Sequence, residues 1–487
     1  MKRTFLTLII GLAACSGSPT TVPAGARMRV VSGGGQSDTV DAFASQPLVL
    51  EIRDAAGAIA TGMTVNLTTY PADSGQYAGR LMGLCQDTID DCTRYGVTKS
   101  TDNTGELTFR ALFGRIAGPE WIRVAVPELG LIDSVRFVVL PGQAVHFAFG
   151  IADSSGYVGA SYATRPQLAD RWGNTVPAGA FTVQAVGAAA TVTSDGTFHA
   201  VAIGRGEAIF RSGAIVDTAW MSVPPRGQIA AFDLGLGSPA GIVTFELDGS
   251  RLRHVTPIEQ TDREQTPDWL PDGEIVFEGN GVNVQRIMVV DSAGTVRRVT
   301  PAATPTFVEV TPATGRDGRI YFAGRGPGDP GYRIWVSTGT GQTPSHLFSP
   351  PDTTDFTAPA PAPSGSNLAY IIQERGLFVY DQATTATTKL APATAFEVWP
   401  RAPRWSPDAS QLVFNDDTTL YLIHPDGSGR RSVGPKHLYY ARADWSPDGA
   451  WLIARTRNRL ELINVATNES LVLPPWTEPY LTPAWRH

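Results

Sequence analysis

Several things are scarce in this chain of 487 residues. Lysine occurs only at Lys2, Lys99, Lys389 and Lys436, so arginine carries almost all the positive charge; this reflects a GC-rich genome more than a function. Charged residues make up only 17% of the chain. Without Lys2 and Arg3, which sit in an N-terminal targeting segment, 37 basic residues face 46 acidic ones, a balance of −9. That argues against nucleic acid or anionic lipid as the main partner. No amphipathic helix of three turns is evident after residue 15. The catalytic signatures are missing as well. There is no Gly-x-Ser-x-Gly elbow, no room for the hydrolase domain that would use it, and no His-Glu-x-x-His zinc motif. GRGPGDPG at 324–331 lacks the Lys-Ser/Thr of a phosphate loop and reads as a hairpin.

In place of helices there are turns: 50 glycines and 37 prolines punctuate short apolar runs. Such a profile implies an all-β protein, and the length suggests about three domains. The first residues form the targeting segment. Lys2 and Arg3 are its basic end and Phe5 to Leu12 its apolar stretch, too short for the ~20 residues of a spanning helix. The segment ends in Leu12-Ala13-Ala14-Cys15, which resembles the lipobox of bacterial lipoproteins. The resemblance implies cleavage after residue 14, lipid on Cys15, and a flexible tether over 15–26. The alternative is an ordinary signal peptide cut near Ala13-Ala14. Ser16 rather than Asp follows the cysteine, which in a diderm organism implies the outer membrane, facing periplasm or medium. Export predicts an oxidising compartment. Cys85 and Cys92, within LCQDTIDDCTRYG, are therefore expected to form a disulfide. A metal site there would need further Cys or His ligands nearby, and there are none.

Residues 27–140 alternate in period two, as in PLVLEIRD, MTVNLTT, GELTFRAL and SVRFVVL, with DAAG and DNTG turns between them. The order SGGGQSDTV, LEIRDAAGAIATGMTVNL, STDNTGELTF resembles bacterial Ig-like domains of the invasin or adhesin type, with residues 70–97 inserted. A second sandwich is expected over 141–224. There LADRWGNTVPAG repeats the turn logic and SDGTFHAVAIGRGEAIF resembles the later half of an Ig-like repeat. PPRG at 224–227 reads as a linker.

From residue 225 onward the chain repeats itself. IAAF, EIVF, RIYF, NLAY, QLVF and WLIA end at Phe232, Phe277, Phe322, Tyr370, Phe414 and Ala454, at intervals of 45, 45, 48, 44 and 40. A period of ~40–50 residues with strands and turns signals a propeller. LPDG, GRDG, PSGS, SPDA and SPDG precede five of these runs. In WSPDG the Trp is suited to packing between sheets, Pro presets the turn, Asp accepts its N–H groups, and Gly takes φ > 0. Trp269, Asp272, Trp405, Asp408, Trp445 and Asp448 are thus structural. PAWRH, ending the chain, supplies Trp485 as a further inner-strand copy, and the first repeat begins at its second strand. The C-terminus should then close the ring beside Ile229–Phe232. These repeats resemble the TolB-type six-bladed propeller over 225–487, although the third repeat lacks the Trp and the fourth reads PAPAPSGS.

The loops leading into the innermost strands should rim one mouth of the channel. Counting five residues back from each Trp position, and including neighbours, gives Glu264, Glu309, Phe356, Trp399, Arg401, Tyr439, Tyr440 and Tyr480 as binding candidates, with Asp355 beside them. Aromatic and charged groups in a funnel suit a peptide or sugar-like ligand. The alternative is that they merely pack neighbouring loops. The acidic runs at 87–91 and 415–417 lack the alternation of a calcium loop. No metal or other cofactor is assigned. The expectation is a monomeric, non-catalytic, lipid-anchored envelope protein. Two Ig-like sandwiches act as spacer, and the propeller binds an envelope protein or peptide. The rival readings are an adhesin or carbohydrate binder, and a lactonase- or lyase-type enzyme with a metal at the channel mouth.

Overall fold

The computed structural model describes residues 25–70, 82–85, 91–93, 96–177, 179–234, 240–257, 266–281, 284–301, 308–326, 328–347, 354–392, 403–416, 418–437, 440–457, 459–477 and 480–487. The targeting segment, Cys15, Glu264, Trp399, Arg401 and Tyr439 lie outside the described residues, as does the side chain of Tyr440. Almost every described element is a strand, and no described helix is long and apolar enough to cross a membrane. Two compact units form. One takes the residues up to Ala148 with Pro166–Ala180 and Ser212–Val216. The other takes Phe149–Arg165, Phe181–Arg211 and Asp217–His487. The segment 141–224 contributes to both.

In the first unit the period-two runs become strands that bury alternate residues. Leu48–Arg53 turns Leu48, Leu50 and Ile52 inward, and Gly118–Val126 does the same with Ile122, Val124 and Val126. Two five-stranded sheets enclose one core, which also holds Val65, Phe109, Phe113 and Phe137. The short strand Ser37–Thr39 runs parallel to the last strand, Leu131–Leu140. Turn chemistry follows the sequence. Asp54 and Asp102 each accept N–H groups two and four residues on, while Gly57 and Gly105 take positive φ. Cys85 and Cys92 stand directly opposite one another on paired strands and are joined by a disulfide.

In the second unit the repeats become six four-stranded antiparallel sheets. The runs recognised in the sequence are their second strands: Gln228–Asp233, Ile275–Gly281, Ile320–Arg325, Asn367–Ile372, Leu412–Asn415 and Trp451–Thr456. The innermost strand of the first sheet is the last strand of the chain, Tyr480–Trp485, with Ile229 opposite Trp485 and Phe232 opposite Leu481. The expected closure is therefore present, and the open edge of Gln228–Asp233 is paired.

Apolar clusters show the sheets to be a ring, hence a β-propeller. Phe232 and Ile242 of the first sheet pack on Trp269 and Phe277 of the second. Val276 and Val289 then pack on Ile320 and Phe322, and Tyr321 and Ile334 on Phe356 and Tyr370. The series continues with Ala369 and Leu377 on Trp405 and Phe414, and Val413 and Leu422 on Trp445 and Leu452. It returns to its start with Ile453 and Leu462 against Ile229 and Phe245. Each fully buried large side chain contributes about 1.5–3 kcal/mol, so every interface is a small hydrophobic core.

The join ahead of the first sheet is not a free tether. Gly227 accepts the Leu247 N–H at 3.1 Å, and the Trp485 indole lies where a Gly227 Cβ would be, 2.3 Å away. Tyr157 donates its hydroxyl to Glu246 at 2.9 Å and accepts the N–H of Leu247, and Ser222 reaches the carbonyl of Val472.

Candidate functional site

The two ends of the sheets are built differently. At one end lie the hairpins joining first and second strands. Asp272, Asp317, Asp408 and Asp448 each accept the N–H two residues on, all at 3.0 Å. Ser406 and Ser446 donate to Asp408 and Asp448 at 2.6 Å, and they receive the N–H groups of Gln411 and Trp451. Gly273, Gly318, Gly365 and Gly449 take positive φ, as the turn demands; Ala409 does so too, at 60°. The Trp that opens the motif has two tasks. Its ring fills the gap between sheets, and its indole N–H crosses to the preceding sheet. Trp269 donates to Ala484 O, Trp405 to Ala360 O and Trp445 to Arg404 O, at 2.9–3.2 Å. Trp485 departs from this pattern: its indole N–H has no partner among the described residues, and its backbone N–H donates to Asp444 at 2.8 Å.

At the other end no two sheets are alike. Buried polar groups sit where second strands finish and third strands begin: Asp233 in the first sheet, Glu278 and Arg286 in the second, Arg333 in the third, Asn415 in the fifth, Arg455 and Glu461 in the sixth. They hold the stems of the loops. Glu278 accepts the Gln285 amide and the Thr311 N–H. Arg333 donates to the carbonyl of Thr354, two residues before an innermost strand. Glu461, buried on its strand, meets the half-exposed His437 at 2.7 Å.

Three of the mouth candidates have described side chains, and all three are buried. Glu309 lies between the second and third sheets. It accepts the Ile287 N–H at 2.8 Å and the Thr300 hydroxyl, with Arg298 3.9 Å away. Burial pushes its carboxyl above the usual range despite those bonds. Phe356 stacks on Tyr370, and Tyr370 on Phe378. Tyr480 stacks on Phe245 at 4.9 Å, and burial next to Asp233 raises its hydroxyl to about 12. Asp355 holds the Tyr332 N–H at 2.7 Å. Each of these residues serves a sheet boundary or a loop stem.

The axis holds a cluster that residue spacing did not expose. Arg404 of the fifth sheet reaches Asp268 of the second at 2.9 Å. Sheets two and five stand opposite each other, so this pair bars the channel. Asp268 also receives the N–H of Thr314 at 2.8 Å. Asp444 of the sixth sheet lies 3.9 Å from Arg404, and Arg442 donates to Pro267 O at 3.1 Å. Burial raises the Asp444 carboxyl, with Arg404 and His487 pulling the other way. Each of Asp268, Arg404 and Asp444 is the residue just before a repeat Trp. That is the one signal sequence reading could have used.

No three His, Cys, Asp or Glu groups among the described residues are placed to hold a metal ion. Asp416, from the acidic run at 415–417, is engaged with the N–H groups of Thr418 and Thr419 and the Tyr421 hydroxyl. Asp417 and residues 87–90 lie outside the described residues.

No family model matches the chain. Among solved structures it is similar to TolB from Acinetobacter baumannii, at 16% identity over 71% of this chain and 97% of that one, with a TM-score of 0.42. A chain of a nidogen/laminin complex matches at 12% identity over 54% of this chain and 98% of that one, TM-score 0.41. An oligogalacturonate lyase in complex with manganese matches at 11% identity over 65% and 85%, TM-score 0.38.

Proposed function

We propose that this chain is a lipid-anchored protein of the cell envelope whose six-bladed propeller binds a protein or peptide partner without catalysing a reaction. In this reading Cys15 carries the lipid, residues 27–140 and 141–224 are Ig-like domains, and the protein is a monomer in the outer membrane. One observation supports it above the others: the contrast between the two ends of the ring. Five copies of one hairpin do the same mechanical job. At the opposite end buried polar groups differ from sheet to sheet and hold loop stems at Thr311, Thr354 and His437. Burying a charge is costly unless it is bonded. A set that varies from sheet to sheet suits a surface that specifies one partner, and framework alone would not need it.

The test is site-specific photo-crosslinking in intact envelopes. A crosslinker at Trp399 or Tyr439 is expected to trap a discrete partner, and one at Asp272 or Asp448 is not. Equal trapping from both ends, or from neither, would remove the reading. A glycan array run in parallel distinguishes a carbohydrate ligand.

A further inference from the structure

We propose that the axis of the propeller contains a carboxylate-binding site built from Arg404 and Arg442. Both arginines are buried, at 9% and 4% exposure, and among the described residues both use only Nη1 for hydrogen bonding: Arg404 to Asp268 and Arg442 to the carbonyl of Pro267. In each, Nε and Nη2 lack a hydrogen-bond partner among the described residues. The nearest carboxylate oxygens stand too far off to accept one, 3.9 Å from Arg404 Nε and 3.7 Å from Arg442 Nη2. Nε and Nη2 form the side-on edge of a guanidinium, which grips a carboxylate through two parallel bonds. Buried donors are nearly always satisfied, and each one left open costs about 1–3 kcal/mol. Two open edges of the same kind in one layer describe a receptor for a planar oxyanion.

The surroundings agree. Arg442 occupies a bulge of its innermost strand, where pairing jumps from Tyr440 opposite Thr456 to Ala443 opposite Ala454, and a bulge re-aims a side chain. It lies three residues before Trp445, on the side where the innermost strands begin. Thr266, beside Pro267, has a buried hydroxyl that is also without a partner among the described residues. The position that holds Asp268, Arg404 and Asp444 is alanine in the other three sheets, at Ala313, Ala360 and Ala484, so those sheets add no charge at this position. Two arginines balance two aspartates, and burial favours the neutral form of Asp444, which leaves the layer able to accept one negative charge. In binding, the arginines exchange their long Asp268 and Asp444 contacts for full bidentate ones.

As the anchor for an acidic group of a partner, the site rests on the reading above; the test therefore uses probes that need no partner. The full chain is heated with acetate, malonate or tetraglycine, each against chloride at equal ionic strength, with tetraglycine amide as control. Carboxylates are expected to raise the propeller's midpoint by a few degrees over chloride. Arg442→Lys and Arg404→Lys keep the charge but lose the side-on edge, and should abolish that rise. A structure with malonate should show the ion on the Nε–Nη2 edges. A response to tetraglycine well above its amide and above acetate identifies a chain terminus as the source, whereas a response to acetate and malonate alone identifies a small free acid. No carboxylate effect beyond chloride, or an undiminished effect in both lysine variants, overturns the site. Failed crosslinking with the carboxylate effect intact removes the partner reading and leaves the site standing.

Discussion

The fifth and sixth sheets and the third and fourth solve one problem by different means. In the fifth and sixth, Trp405 and Trp445 fill the gap to the preceding sheet and send an indole N–H to its inner carbonyl. The third sheet has Thr314 at that place. Its hydroxyl takes over the bond, donating to Trp269 O at 2.7 Å, while Glu309 bonds the outer half of the second sheet. The fourth has Pro361, and an aromatic ladder of Phe356, Tyr370 and Phe378 supplies the volume. Thr311 links these sheets: its N–H donates to Glu278, and its hydroxyl oxygen accepts the Ala358 N–H. A ring needs each gap filled and each inner carbonyl satisfied; it does not need one residue type to do both. Where Trp is lost, the two tasks pass to separate side chains.

Experiments on the two halves should separate these solutions. The largest effect is expected from removing Tyr480–His487. This opens the ring at Gln228–Asp233 and should leave a chain that aggregates, as read by light scattering. Trp445→Ala should cost about 3–5 kcal/mol in the propeller's denaturant transition, and Trp445→Phe, which loses chiefly the N–H and some volume, clearly less. Thr314→Val should cost about 1–2 kcal/mol, because it leaves the inner carbonyl of Trp269 short of a donor. If Thr314→Val matched Trp445→Ala, the division of tasks would be wrong. Ala409→Gly should raise stability by up to about 1 kcal/mol, since Ala409 alone among the five hairpin positions holds φ 60° with a side chain.

The smallest expected effect concerns pH, and its sign differs from one carboxylate to another. Asp408 of the fifth sheet is held low by the Ser406 hydroxyl, and Asp381 of the fourth is held at about 2 by the Ser366 and Thr384 hydroxyls. Folded values below the unfolded ones give stability that is present above about pH 4 and lost as the pH falls toward 2. Glu309 between the second and third sheets is raised by burial, so its contribution runs the other way. Its charged form costs stability at neutral pH, and that cost is relieved as the pH falls through its raised value. Glu309→Gln should therefore flatten the stability profile above the ordinary glutamate range, while Asp408→Asn should flatten it only below about 4. Denaturation midpoints across that range check both.

Much of the ring was legible because its strands are local and repeated. The apolar runs ending at Phe232, Phe277 and Phe414 lie on second strands, and Trp485 pairs with Ile229 as its place in the repeat requires. The hairpin roles of Asp272, Asp408 and Asp448 were equally readable, since a turn is settled within five residues. The mouth was not. Counting back from the Trp positions reached Glu309, Phe356 and Tyr480 correctly along the chain, but it could not say which way each side chain points. Bulges in the innermost strands, as between Val310 and Ala313 or Thr357 and Ala360, re-aim side chains and spoil any simple count. The segment 141–224 read as a domain of its own; in the structure it contributes to both compact units.

Period and turn chemistry belong to short stretches of chain, so composition and spacing alone determined the all-β class, the repeat, the hairpins and the strand that closes the ring. Only the closed ring decided what meets at its axis. Arg404 and Asp268 are 136 residues apart, and nothing local couples them. They touch because curvature brings opposite sheets within a side chain's reach, in a place where charges must find one another or a ligand.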